Sequence, residues 1–257
     1  MTEDYILGNL DLASLALWMF FIFFVALVIW IQRENQREGY PLVDDDGTQA
    51  DAGGVFPPPA DKTFILPHNQ GTKTVPSGQS PDRTDLALER KFDSGGFPWT
   101  PTGDPLVDGV GPAAWATRED VPELDGFGNP KLVPMGSSDH FHVAAGRDPR
   151  GLPVEAGDGA FVGTISDMWV DHPEQLVRYL TISLDTTEGG GTKLVPMTLA
   201  RIRSDRVQIK SLYSGQFANV PETVSAGVVT KLEEDKISAY YGGGHLYASD
   251  ARLNPQL

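Results

Sequence analysis

The sequence predicts a single membrane-spanning helix followed by a mainly β domain, with an extended proline-rich segment between them and a short helix near the C-terminus. Three observations predict it. An unbroken apolar run lies near the N-terminus, the middle of the chain is rich in Pro and aromatic residues, and the second half carries short β-branched runs separated by turn signals.

Residues 12–31 hold no charged residue, and Ser14 is the only polar one. At 1.5 Å per residue such a helix reaches about 30 Å, the thickness of a bilayer core. Leu15, Leu17, Phe20, Phe21, Phe23, Phe24, Leu27 and Ile29 cover its full circumference, where a soluble surface helix would keep a polar stripe. A signal peptide would start basic and end at a small-residue cleavage site; this start carries Glu3, Asp4 and Asp11, and Ile31-Gln32-Arg33 offers no such site. Trp30 suits an interface. No Lys or Arg precedes the span, whereas Arg33 and Arg37 follow it. The positive-inside rule therefore puts residues 1–11 outside and the bulk of the chain in the cytoplasm. The helix is expected to continue into water over residues 32–40, running through Glu38, with Gly39 in the left-handed C′ position and Pro41 blocking continuation. Tyr40 falls at headgroup level. The span has no ionisable residue and so no proton relay of its own.

Residues 41–112 carry 11 of the 20 prolines. Asp44-Asp45-Asp46 and Gly53-Gly54 read as solvated turns, Phe56-Pro57-Pro58-Pro59 as polyproline, and Thr63-Phe64-Ile65-Leu66-Pro67 as a short strand. Phe64, Leu66, Leu86, Leu88, Phe92, Phe97, Trp99, Leu106, Val110 and Trp115 recur through and just beyond it. That many apolar residues imply an extended segment ordered against a membrane-embedded partner rather than a disordered linker.

The β domain occupies residues 113–257, with a small barrel at about 140–220. Its strands are read at Ala160–Ile165, Tyr179–Leu184, Lys193–Met197 and Arg206–Ile209, separated by Glu188-Gly189-Gly190-Gly191 and Ser204-Asp205. A short helix at about 231–241 leads into Tyr240-Tyr241 and is expected to stop at Gly242-Gly243-Gly244.

Composition removes several functions. Asp plus Glu is 35 against 20 Lys plus Arg, a net charge of −15, which opposes nucleic-acid binding. There is no Cys, so disulfides, thiolate metal sites and Cys nucleophiles are excluded. No phosphate-binding, dinucleotide, Gly-x-Ser-x-Gly or His-Glu-x-x-His motif occurs. His140-Phe141-His142 would point two imidazoles to one face of a strand, but two hydrogen-bonded surface histidines are the ordinary reading and no metal is assigned.

Two acidic groups stand out. Glu119, Asp120, Glu123 and Asp125 place four carboxylates in seven residues around Pro122 and Gly126, and Asp171 and Glu174 flank His172-Pro173 at a strand end, with Arg178 beyond. Pooled carboxylates raise one another's pKa values and can pass protons near neutrality. A solvated acidic face is the alternative. A two-carboxylate hydrolase is a third reading, unsupported by any accompanying catalytic motif.

Asn9-Leu10-Asp11-Leu12-Ala13-Ser14-Leu15-Ala16, Arg37-Glu38-Gly39-Tyr40-Pro41-Leu42, Lys62-Thr63-Phe64-Ile65-Leu66-Pro67-His68, Pro101-Thr102-Gly103-Asp104-Pro105, Asp108-Gly109-Val110-Gly111-Pro112-Ala113, Pro122-Glu123-Leu124-Asp125-Gly126, Trp169-Val170-Asp171, Pro173-Glu174-Gln175 and Leu232-Glu233-Glu234-Asp235-Lys236-Ile237 recur in one order. On these strings the chain resembles the H subunits of purple-bacterial photosynthetic reaction centres. The resemblance implies a periplasmic N-terminus, one transmembrane helix and a cytoplasmic PRC-type β-barrel, in the intracytoplasmic (chromatophore) membrane. It implies an accessory subunit without turnover of its own. That subunit caps the L and M subunits, with cytochrome, light-harvesting antenna and membrane lipids as further partners. Bacteriochlorophyll, bacteriopheophytin, quinones, non-haem iron and carotenoid belong to the complex, and none is held principally by this chain. It implies a proton route toward the secondary quinone through Asp125, Asp171 and Glu174, and the candidate proton-transfer set adds His172, Glu123, Arg178 and Lys131. A membrane-anchored PRC-barrel adaptor outside photosynthesis is the alternative. One departure concerns the uptake point. Family members follow the Glu-Leu-Asp-Gly turn with a His-Gly-His arrangement, where this chain has Phe127 and Asn129. His172 is the candidate replacement, since imidazole exchanges protons near pH 7.

Overall fold

The computed structural model describes residues 11–39, 42, 44, 58–77, 79 and 83–253. Glu3 and Asp4, Tyr40, Asp45-Asp46, Gly53-Gly54 and the Phe56-Pro57 end of the polyproline element lie outside the described residues. The chain divides into two compact units, Met1–Pro81 with Ser94–Gly96, and Asp82–Asp93 with Phe97–Leu257.

In the first unit, helix α1 spans Leu12–Asn35 and is capped by Asp11, whose carboxylate accepts from Ser14 N at 2.8 Å. None of its residues is buried. An all-round apolar helix that its own chain leaves uncovered needs lipid or other subunits as its solvent. The helix ends three residues earlier than the expected Glu38. Arg37 folds back onto Glu34 in a two-point pair, Nε and Nη2 at 2.8 and 2.9 Å, and gives Nη1 to the Ala60 carbonyl at 2.8 Å. Gln36 N–H donates to the carbonyls of Arg33 and Glu34, tightening the last turn. Gly39 is left-handed as expected, at φ 75°, but it sits in the turn after the helix rather than at C′. Strands β1 (Lys62–Ile65) and β2 (Thr72–Val75) form an antiparallel hairpin.

The second unit begins with strands β3 (Leu88–Arg90) and β4 (Trp99–Pro101), paired antiparallel, and the short helix α2 (Pro105–Asp108). Leu106, Val110 and Ala113 are buried here. Leu106 and Val110, expected to order against a partner, are instead covered by the chain's own residues, so the globular unit starts well before residue 113.

Seven strands make the sheet: β5 (Leu132–Pro134), β6 (Pro153–Glu155), β7 (Phe161–Asp171), β8 (Leu176–Leu184), β9 (Thr192–Pro196), β10 (Ala200–Ile202) and β11 (Val207–Ile209). The order is β10-β11-β6-β7-β8-β9, with β5 added to the far end of β7; only the β11–β6 pair is parallel. It curls into a half-barrel rather than a closed one: β9 and β10 form its two edges and are joined by a 3-10 turn at Met197–Leu199. Strands β5, β6 and β10 are three residues each and hold a Pro or little alternation, which hides them from pattern reading. Val162, Leu180, Ile182, Val195, Val207 and Ile209 form the fully buried inner face.

Helix α3 (Lys231–Tyr247) packs Ile237 and Tyr241 into that core and is followed by α4 (Asp250–Leu253). It starts at Thr230 with a capping box: Glu233 N reaches Thr230 Oγ1 at 3.2 Å and Thr230 N reaches Glu233 Oε2 at 2.8 Å. The expected stop at Gly242 does not occur. A Cβ on Gly243 would lie 2.5 Å from the Ala113 Cβ, and one on Gly244 would lie 2.5 Å from the Ser211 carbonyl oxygen. These glycines let the helix touch its neighbours, and that packing outweighs a helix-propensity cost of about 1 kcal/mol each.

Candidate functional site

The site is built where β5 pairs with the end of β7. The register Leu132↔Asp171 sets Lys131 beside the turn that follows Asp171. The Lys131 backbone holds both sides: its N–H donates to the Glu123 carbonyl at 2.8 Å, and its carbonyl accepts from His172 N at 2.9 Å. Its ammonium then reaches Asp171 Oδ2 at 3.2 Å, Glu174 Oε1 at 3.2 Å and Glu123 Oε1 at 3.6 Å. Three carboxylates share one cation.

Asp171 is only 1% exposed. Its Oδ1 accepts from Glu174 N at 3.0 Å and its carbonyl from Gln175 N at 2.7 Å, so the same residue caps the turn and faces the lysine. Burial works against the charge on Lys131, but its hydrogen bonds with Asp171 and Glu174 and the field of Glu123 outweigh that, and its pKa is raised.

A second group adjoins the first through Glu123. Arg178 Nη2 lies 3.9 Å from Glu234 Oε2, and Tyr179 donates its hydroxyl to the same oxygen at 2.9 Å. Burial pushes the Glu234 carboxyl up and the charge of Glu123 adds to this, against the opposing Tyr179 hydrogen bond and the nearby Arg178 and Lys131 cations. The Tyr179 hydroxyl is raised by burial and then by Glu234. Glu123, Arg178, Tyr179, Glu234 and Asp235 line a cleft of about 430 Å³. Glu234 was missed as a site residue: in sequence it is one of several charged residues on a helix, and nothing in its spacing says that it faces β8.

The Glu119–Asp125 cluster does not pool its charge. Lys231 Nζ is 3.2 Å from Glu119 Oε2, Thr230 Oγ1 donates to Asp120 at 2.6 Å, and Glu123 turns to Lys131. Asp125 is spent on its own turn, accepting from Phe127 N at 2.8 Å and Asn129 N at 2.9 Å. The Asn129 backbone bond, with that of Phe127, holds its carboxyl below the usual range, against the expectation that these acids raise one another. His172 is exposed, and its ring packs edge-on to Phe141 at 5.4 Å and 89°. His140 lies in a turn and His142 in irregular chain, so the two-imidazole strand face does not form. Among the described residues no group of three or more His, Asp or Glu side chains is arranged to hold a metal ion.

A membrane-length helix followed in sequence by a curled half-barrel defines the class, and residues 141–216 match the family model of the PRC-barrel domain. Residues 4–137, over half the chain, match that of the photosynthetic reaction centre H-chain N-terminal region. The chain belongs to the photosynthetic reaction centre H-chain family. It is a reaction-centre subunit that associates with other subunits of the complex, and the one membrane-length apolar helix among the described residues fits a single-pass membrane protein. The H-chain match answers the reading of an adaptor outside photosynthesis.

Proposed function

We propose that this subunit caps the L and M subunits on the cytoplasmic side and conducts protons toward the secondary quinone they hold, with no turnover of its own. The observation that carries the proposal is the Lys131 cluster. An ammonium in contact with three carboxylates gathers them from two segments of the chain into one row, so that a proton arriving at one group has the next within reach. Glu123 continues the row to the cleft and to Glu234, whose raised pKa suits exchange nearer neutrality than an ordinary carboxylate. Arg178 sets the potential there. The pigments, quinones and iron sit in the partner subunits, and this chain supplies protonatable groups and shape.

The test is the pair Asp171→Asn/Glu174→Gln in the intact complex. The proton-coupled second reduction of the quinone slows while the first electron step keeps its rate. Unchanged rates for both would remove the cluster from the route. A tagged chain that leaves the membrane without pigment would remove the capping role.

A further inference from the structure

We propose that the β1–β2 hairpin is an interfacial foot that binds anionic phospholipid headgroups beside the exit of α1. The proposal rests on the single-pass reading of α1 and is independent of proton delivery.

Position comes first. The base of the hairpin is fastened to the first residues after the helix. Arg37 Nη1 donates to the Ala60 carbonyl at 2.8 Å, Gly39 N to Gln79 Oε1 at 3.0 Å, and Gln79 Nε2 to the Arg37 and Pro76 carbonyls at 3.0 and 2.8 Å. Arg37 folds its guanidinium back onto Glu34, three residues beyond Ile31 and about 4.5 Å along the helix. The headgroup layer is roughly 5–8 Å deep on each side of the hydrocarbon. The hairpin base is thereby held at the level of the phosphates.

Chemistry comes second. In a chain with 35 acids, residues 62–81 contain none, and Lys62, Lys73 and His68 are the basic groups there. The register sets Phe64 opposite Lys73, and Lys62 shares that face. The Lys62 ammonium sits 4.9 Å from the centre of the Phe64 ring. Two lysines around an exposed aromatic form a surface that places ammonium groups on phosphates and a ring among acyl chain ends. Of the acids nearby, Glu34 is engaged by Arg37, and Asp61 by the Ser77 backbone and hydroxyl. On the other face the Thr63 and Thr74 hydroxyls pair at 2.8 Å, and Ile65 is 86% exposed.

The chain has no Cys, so one introduced thiol labels this subunit at one place. The whole complex would be placed in nanodiscs of phosphatidylcholine with and without phosphatidylglycerol, carrying a spin label at Ile65→Cys, Val25→Cys or Val224→Cys. The label at 65 is expected at headgroup depth, between the bilayer-buried label at 25 and the aqueous one at 224. Lys62→Gln/Lys73→Gln is expected to lower the phosphatidylglycerol enrichment of the copurifying lipid roughly tenfold. A label at 65 as water-accessible as that at 224, with 25 still in the bilayer, would overturn the hairpin proposal alone. A label at 65 shielded from both lipid-borne and aqueous quenchers would replace lipid with a protein partner. A water-exposed label at 25 would overturn the spanning reading and this proposal with it.

Discussion

The two acidic regions that stand out in the sequence end in opposite states. Glu119 to Asp125 has the denser run of carboxylates, yet each finds a different partner, and Asp125 is pulled below its ordinary pKa by the backbone of its own turn. Asp171 and Glu174 are sparser, yet Lys131 draws them together with Glu123 from across a strand pairing. The difference teaches that carboxylates are brought together by a shared cation across a strand pairing, not by sequence density. Glu123 belongs to the first region by sequence and to the second by contact.

The largest effect expected from this contrast is on stability. Lys131→Met leaves Asp171, 1% exposed, without its cation. The loss should be roughly 2–3 kcal/mol, read as a lower denaturation midpoint of the complex, and Lys131→Met/Asp171→Asn should recover part of it. Lys231→Met, beside the more exposed Glu119, should change the midpoint far less. Equal losses would erase the distinction between the regions.

The kinetic contrast is next in size. Glu174→Gln keeps the shape and removes the titrating group; the second quinone reduction should slow roughly tenfold, because Asp171 and Glu123 still share the load. Asp125→Asn should stay within about twofold, since its carboxylate is committed to the 125–129 turn. His172→Ala should be silent at pH 7, its ring being packed on Phe141. Stopped-flow or flash spectroscopy of the two electron steps decides all three, and a slow Asp125→Asn beside a normal Glu174→Gln would reverse the assignment.

The span, the strand at 161–165, the hairpin strand at 62–65 and the acids around Asp171 were legible because each carries a local signal: an apolar run, alternation, or residues adjacent in sequence. What was not legible is non-local. Lys131 meets Asp171 only through the β5–β7 register, and β5 is three residues ending in Pro134. Glu234 meets Tyr179 only because α3 lies against the half-barrel. The three glycines at 242–244 carry the composition of a helix stop, and their use as contact points against Ala113 and Ser211 is set by tertiary packing. Leu106 and Val110 were legible as buried but not as buried by their own chain.

A smaller effect separates burial from pairing. Glu234 has a raised pKa, so the folded state binds more protons than the unfolded state above the ordinary value of 4.5. Stability contributed by this group therefore falls as pH rises past about 4.5 and levels off above the folded pKa. Glu234→Gln should remove that slope, making the protein more stable at pH 7 and no different at pH 4. Asp125 has the opposite sign: its lowered pKa gives stability present above 3.8 and lost as pH falls below it. Thermal melts across pH 3–8 should show the two variants diverging in opposite directions.

The smallest expected effect is a silence. The resemblance places a His-Gly-His turn after the acid, and two imidazoles beside a carboxylate are a donor set for a divalent transition metal, which would block proton uptake there. Here Phe127 and Asn129 replace both imidazoles, and Asp125 already accepts from two backbone N–H groups. Zinc sites want three or four N, S or O ligands in a tetrahedron, and a single occupied carboxylate offers too little. Micromolar Zn²⁺ should therefore leave proton uptake by this complex nearly unchanged. Phe127→His/Asn129→His should create the inhibition, because both positions flank Gly128 on the same exposed turn. If the native complex is strongly inhibited, and Asp171→Asn or Glu174→Gln relieves it, the metal is reaching the Lys131 cluster itself. The open uptake point would then lie at that cluster rather than at the 125–129 turn.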